Sequence, residues 1–216
     1  MIPKIIHHIW IGNKPFPKEF EEFYNKWRIM YPEYNFIFWN DELVNASKLI
    51  DESISKHYYS ECKIAFKSDL LRFKILEKYG GIYIDTDTEP LKKMGYEFLS
   101  NDFFSGIQKP YRQVAIGIMG SEPNNKLVKE YNTSVLDNIE FNIKQNGKLT
   151  DELWKITGPQ FFDEICNNYK KLNGYTFYES EYFYPYGWNE LERRHENFKE
   201  TCPDAYSVHH WAHSWW

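Results

Sequence analysis

The chain has 216 residues, 19% of them aromatic, and a formal net charge of −5. That length suits one large domain or two very small ones, and the acidic balance offers no basic footprint for nucleic acid. Three scattered cysteines, Cys62, Cys166 and Cys202, exclude a CxxC metal knuckle, argue against a disulfide framework and suit a reducing, cytoplasmic compartment.

The opening run, MIPKIIHHIWIG, is too short to span a bilayer and lacks the long apolar core of a secretory signal. Within it, residues 4–12 predict a first strand that Gly12 ends. KEFEEFYNKWRIMY spaces Phe20, Phe23, Tyr24, Trp27 and Tyr31 as one face of a helix, closed by Pro32. YNFIFWND predicts a second strand, and DELVNASKLI (41–50) and residues 61–79 two further helices. The second of these carries Lys74 and Lys78 near its end and Gly80 just beyond, a C-terminal signal. GIYID (81–85) is a third strand. Strand and helix thus alternate over the first ninety residues, the pattern of an α/β domain with a largely parallel sheet. Further on, VAIGIMG (114–120) reads as a strand and residues 124–141 as a helix. TGPQFFDEICNNY reads as a helix with Thr157 as cap and Gly158–Pro159 at its opening. TFYESEYFYP and AYSVHHWAHSWW are aromatic, strand-like or irregular. No Pro/Gly/Ser-rich linker divides the chain, so a single domain over 1–216 is expected.

The third strand ends in Asp-Thr-Asp. Successive strand side chains alternate faces, so Asp85 and Asp87 share one face if the extended geometry persists. Ligands of open α/β sheets lie beyond the carboxyl ends of the strands. Two oxygen donors there suit a hard divalent cation that clamps a diphosphate; the alternative is a solvated strand end. In the preceding helix Asp69 and Arg72 stand three apart on one face, either as a plain ion pair or as a grip on sugar hydroxyls and phosphate.

At this point SDLLRFKILEKYGGIYIDTDTEPL (68–91) resembles the DXD sugar-binding region of family 32 glycosyltransferases, which share a GT-A fold with the yeast initiating mannosyltransferase and the large clostridial glucosylating toxins. IPKIIHHIWIG at the start, TGP at 157–159 and VHHWAHSW at 208–215 are similar to further family elements, so the resemblance runs along the whole chain. It implies a GT-A-like α/β nucleotide-diphospho-sugar transferase fold, with a mixed, mainly parallel sheet flanked by helices. It implies that Trp10 stacks on the nucleotide base and that Asp69 and Arg72 bind the donor sugar. Asp85 would contact ribose, sugar or metal, and Asp87 would ligate Mn²⁺ or Mg²⁺. Ser214 and Trp215 would close over the diphosphate, with a C-terminal histidine, assigned as His210, beside the metal. The implied activity is retaining transfer of a hexose from a UDP- or GDP-sugar to a saccharide or lipid-linked oligosaccharide. The implied setting is polysaccharide or glycoconjugate assembly, cytoplasmic or peripheral at the inner face of a membrane. Eukaryotic members usually carry an N-terminal membrane anchor; its absence here suggests a bacterial or viral enzyme. The chain departs from the family at His8, where Gln is common.

Two other readings stand beside this one. IYIDTDTEP also fits the opening of a haloacid-dehalogenase-type phosphatase, with Asp85 as nucleophile and Asp87 as acid/base. The same residues also suit a non-catalytic nucleotide-sugar binding module. Of His7 and His8, which alternate on a strand, at most one faces a site. The aromatic stretch YTFYESEYFYPYGW belongs mostly to a core, with Trp188 or Tyr186 as candidates to line an acceptor subsite.

Overall fold

The computed structural model describes residues 1–61 and 63–212; Cys62 and residues 213–216 lie outside the described part. The order is β1 (Ile5–Ile9), α1 (Lys18–Met30), β2 (Asn35–Trp39), α2 (Asp41–Ser47), α3 (Glu52–Ser60), α4 (Ile64–Tyr79), β3 (Gly81–Ile84) and β4 (Thr88–Pro90). There follow α5 (Tyr96–Leu99), β5 (Phe103–Gln108), β6 (Gln113–Ser121), α6 (Lys126–Asn146), α7 (Leu153–Ile156), α8 (Pro159–Cys166), β7 (Tyr175–Tyr178), α9 (Ser180–Phe183), α10 (Phe198–Thr201) and β8 (Ser207–His209). Among the described residues no helix is long and apolar enough to cross a membrane.

The main sheet has the order β2-β1-β3-β6-β5-β7. The pairs β1–β2, β1–β3 and β5–β7 are parallel, whereas β3–β6 and β6–β5 are antiparallel. Strand alternation loads both faces. Tyr83 packs on the side of Leu71 and Phe73 (α4), Tyr131 (α6) and Phe162 (α8). Its neighbours Ile82 and Ile84 pack on the other side, with Trp27 of α1, Tyr31 just beyond it, Phe98 and Tyr184. Burying each such side chain is worth about 1.5–3 kcal/mol, and the 3.5 Å stack of Phe73 on Tyr131 adds ring contact to that.

What positions the site is the passage from α4 into β3. Gly80 and Gly81 both have positive φ, 62° and 92°, which L side chains rarely adopt. A Cβ on Gly80 would stand 2.7 Å from Pro123, and one on Gly81 2.7 Å from the Ile5 carbonyl. Helix and strand therefore turn back on each other with no room to spare. The N-terminal half of α4 lies at the sheet edge where β1 and β3 end.

The structure differs from the sequence expectations at several points. Residues 41–50 do not form one helix: α2 stops at Ser47, Lys48 turns left-handed at φ 55°, and Asp51 caps a second helix, α3, by accepting from the Ser53 N–H at 2.9 Å. Strand β5 was not foreseen; its sequence FFSGIQ carries a glycine, and its register shifts between Ser105 and Ile107. The predicted strand over 81–85 ends at Ile84. The cap of α8 is Gly158, because the Thr157 hydroxyl is engaged elsewhere.

Candidate functional site

A helix three-residue step places Asp69 and Arg72 side by side, and β3 delivers Asp85 to the same place. Arg72 Nη2 lies 3.3 Å from Asp69 Oδ1, and Nη1 lies 3.3 Å from Asp85 Oδ1. The guanidinium also donates to the Ile116 carbonyl at 2.9 Å and to Ser68, and sits 4.8 Å from the centre of the Tyr83 ring. All its neighbours are buried, so its geometry is fully specified. Tyr83 Oη donates to Asp85 Oδ1 at 2.6 Å, and Thr157 Oγ1 donates to Asp69 Oδ2 at 2.8 Å. Burial pushes the Asp69 carboxyl up to about 7, against the opposing pull of Arg72 and the Thr157 hydroxyl.

Beyond Ile84 the chain turns through Asp85–Asp87 and re-forms as β4, which pairs antiparallel with β8 and sets Thr88 opposite His209. This register brings His209 to the carboxylates. Its Nε2 lies 3.0 Å from Asp87 Oδ1 and 3.5 Å from Asp85 Oδ2. The Ala212 N–H donates to Asp87 Oδ2 at 2.8 Å. Burial disfavours charge on both partners, yet each holds the other ionised: Asp87 is kept below the usual carboxylate range, and His209 well above the usual imidazole range. A Cβ on Gly117 would come within 2.9 Å of Asp85 Oδ2, so a side chain there would crowd the carboxylate.

Asp85, Asp87 and His209 each offer one donor atom, all within 4.8 Å of one another. His209 Nδ1 has no hydrogen-bond partner. Two carboxylate oxygens and one imidazole suit a divalent cation. With Asp69, Arg72, Gln108, Ile116, Gly117, Pro159, Tyr184 and Trp211, these three line a cavity of about 210 Å³.

The structure thus gathers Asp69, Arg72, Asp85 and Asp87 into one cavity. The reason is not a shared strand face, since Asp85–Asp87 form a turn. His210 is corrected: its Nε2 faces Glu89 at 3.2 Å and its ring stacks on Phe23 at 4.9 Å, so the neighbouring His209 is the imidazole beside Asp85 and Asp87. Trp10 follows β1 at the same carboxyl edge as Asp85. It lines a separate cavity of about 420 Å³ with Ile11–Pro15 and Ile64, and its indole N–H donates to the Lys14 carbonyl at 2.9 Å. Ser214 and Trp215 lie outside the described residues. Tyr186 is wholly buried in a stack on Phe198, which removes it from any subsite, whereas Trp188 is exposed. Sequence reasoning missed Thr157, Tyr83 and Gly117 as partners of the carboxylates. For Thr157 a signal existed, since the TGP element was noticed, but it was read as a cap.

Residues 17–105 match the family model described as a glycosyltransferase sugar-binding region containing a DXD motif. Over its whole length the chain is 31% identical to an uncharacterized glycosyltransferase of Acanthamoeba polyphaga mimivirus, covering 84% of that protein. A mannosyl phosphorylinositol ceramide synthase of Saccharomyces cerevisiae is 28% identical over 79% of this chain, which spans only 43% of that relative. Among solved structures, the UDP-bound glycosyltransferase domain of the YGT toxin aligns with a TM-score of 0.62 at 13% identity, covering 82% of this chain and 79% of that one. The fold is the GT-A fold.

Proposed function

The chain belongs to the glycosyltransferase family marked by a DXD-containing sugar-binding region, and from that premise we propose that it moves a hexose from a nucleotide diphosphate sugar to a saccharide or lipid-linked acceptor, with retention at the anomeric carbon. The observation that carries this reading is Arg72. Its guanidinium is buried between Asp69 and Asp85 in the wall of the cavity that Asp87 and His209 also line. A permanently charged, pre-oriented guanidinium of this kind sets both carboxylates for a sugar's hydroxyls and keeps positive charge beside a bound diphosphate.

Asp85, Asp87 and His209 would hold the divalent cation, which when bound supplies charge neutralisation for the leaving diphosphate. The protein's own groups do the rest. Asp69, braced by Thr157 and Arg72, orients the donor sugar through its hydroxyls. Arg72, whose N–H groups are taken by Ser68, Ile116, Asp69 and Asp85, holds both carboxylates in place and adds its positive charge to the site where negative charge grows on the leaving group. The Ala212 N–H fixes the Asp87 carboxylate. Trp10, edge-on to Phe16 and Phe20, lines the second cavity, where its indole would stack on the base.

The phosphatase alternative gives way to the family assignment, and the local bonding agrees. A nucleophilic Asp85 would need a free oxygen, but Oδ1 is engaged by Tyr83 and Arg72 and Oδ2 lies beside His209. The test is a panel of UDP- and GDP-hexoses incubated with saccharide and lipid-linked acceptors, with Mn²⁺ and then with chelator. Mass spectrometry reads the product and NMR its anomeric configuration. Cation-dependent transfer with retention is the expected result. Binding of nucleotide without product would make the chain a non-catalytic module, and turnover undiminished in chelator would remove the cation.

A further inference from the structure

Beside the cavity, two large aromatic side chains stand in solvent. Tyr111 is 68% exposed and Trp188 39% exposed, yet their rings meet, with centroids 6.2 Å apart and planes tilted by 43°. Exposed aromatic surface is common singly, but a paired, splayed platform is a recognition feature. Both segments that carry it continue directly from the cavity wall. Gln108 lines the cavity and leads through Lys109 and Pro110 to Tyr111. Trp211 also lines the cavity, and its indole N–H donates to the Tyr186 carbonyl at 3.1 Å, two residues before Trp188.

The platform is held in place. Gly187 packs so tightly on Lys109 that a Cβ there would lie 3.1 Å from the lysine Cβ, and its N–H donates to Glu190 at 2.9 Å. Lys109 pairs with Glu181 at 3.4 Å, and Arg112 with Glu179 at 2.8 Å. The two charged residues that flank Tyr111, Lys109 and Arg112, are thus each paired with a carboxylate. An apolar surface set in a neutral polar frame does not suit a lipid tail or a charged peptide. It suits a pyranose, whose C–H face stacks on an aromatic ring while its hydroxyls reach polar neighbours.

We infer that Tyr111 and Trp188 form the acceptor subsite, and that the acceptor is a neutral saccharide presented by a pyranose face to this pair. The inference rests on the transferase reading above and narrows its acceptor. Neither residue touches Arg72, Asp69 or the Asp85–Asp87–His209 group, so the pair acts in binding and positioning.

The test separates the two readings. Methyl glycosides and disaccharides of mannose, glucose, galactose and N-acetylglucosamine are titrated by saturation-transfer NMR into the wild type and into Tyr111→Ala, Trp188→Ala and Trp188→Phe. UDP and GDP binding with Mn²⁺ is followed by calorimetry in the same proteins. At least one saccharide is expected to bind, with half-saturation raised about tenfold by each alanine variant and largely restored by Trp188→Phe, as for loss of a single stacked ring. Nucleotide binding should not change. The inference is overturned if no saccharide binds the wild type, if the alanine variants bind it as well as the wild type, or if phosphatidylcholine vesicles rather than sugars depend on the pair. Failure of both nucleotides to bind would strike the donor reading alone, since the saccharide titration still reports on the platform.

Discussion

Two histidines in this molecule are both buried and carry opposite charge states. His7, on β1, accepts from the Trp39 indole N–H at its Nδ1 (3.1 Å) and donates from Nε2 to the Gly80 carbonyl (2.8 Å). One donor and one acceptor specify a neutral imidazole, and burial pushes its pKa down to about 4. His209, on β8, faces Asp87 and Asp85 and is held charged by them in spite of burial. Burial alone therefore does not decide protonation; partners do. One imidazole clips a backbone turn, while the other must give up its proton before its Nε2 can hold a cation.

That contrast can be broken from its charged side first. Arg72→Met would leave Asp69 and Asp85 buried without their cation, and a loss of about 3–5 kcal/mol in unfolding free energy is expected from urea titration. A loss of a few tenths would mean that water already solvates these carboxylates. Next in size, Asp87→Asn should lower transfer at least ~100-fold, the scale of one removed electrostatic contact in the transition state. Wild-type turnover in that variant would reduce Asp87 to a partner of His209.

The neutral side is tested by pH and by a single atom. His7 and His8 are both lowered to about 4 by burial, from an ordinary 6.5, and His8 packs edge-on to Tyr24. Between those values the unfolded chain binds more protons than the native one, so stability is present above pH 6.5 and drains away as pH falls toward 4. By pH 5 each histidine should have removed about 2 kcal/mol, at 1.36 kcal/mol per pH unit. Asp69, raised to about 7, works in the opposite sense over the same range, so the check is the imidazole NMR titration of each ring: protonation of His7 or His8 near 6.5 in the native protein would overturn the expectation. The smallest effect belongs to Trp39→Phe, which strips the donor from His7 Nδ1. It should cost about 1 kcal/mol and raise the pKa of His7, read from its imidazole NMR titration.

Much of this was legible because it is local. The α4–Gly80–Gly81–β3 unit follows from helical spacing, a glycine stop and a short apolar run, and it carries Asp69, Arg72 and, at its exit, Asp85. The parallel sheet followed from the alternation of elements before it. What escaped depends on distant register. Whether His209 or His210 reaches the carboxylates is set by the pairing of Thr88 with His209 across 121 residues of chain separation, and adjacent strand residues point to opposite faces. Thr157 looked like a helix cap because its neighbours are Gly158 and Pro159; that its hydroxyl turns to Asp69 instead is a matter of where α7 and α8 pack. Strand β5 hid behind Gly106 and a register shift, both of which blur a period of two.

The double glycine between α4 and β3 has a mechanical meaning. Pro123 and Ser121 crowd Gly80, Ile5 and His7 crowd Gly81, and the His7 side chain is bonded to the carbonyl between them. A joint with no free volume cannot hinge. Arg72 and Asp85, on either side of it, must therefore travel together, so closure of the site around a donor has to come from elements arriving at a fixed anvil. Their amides should exchange with deuterium as one slow block, whatever the loops around them do.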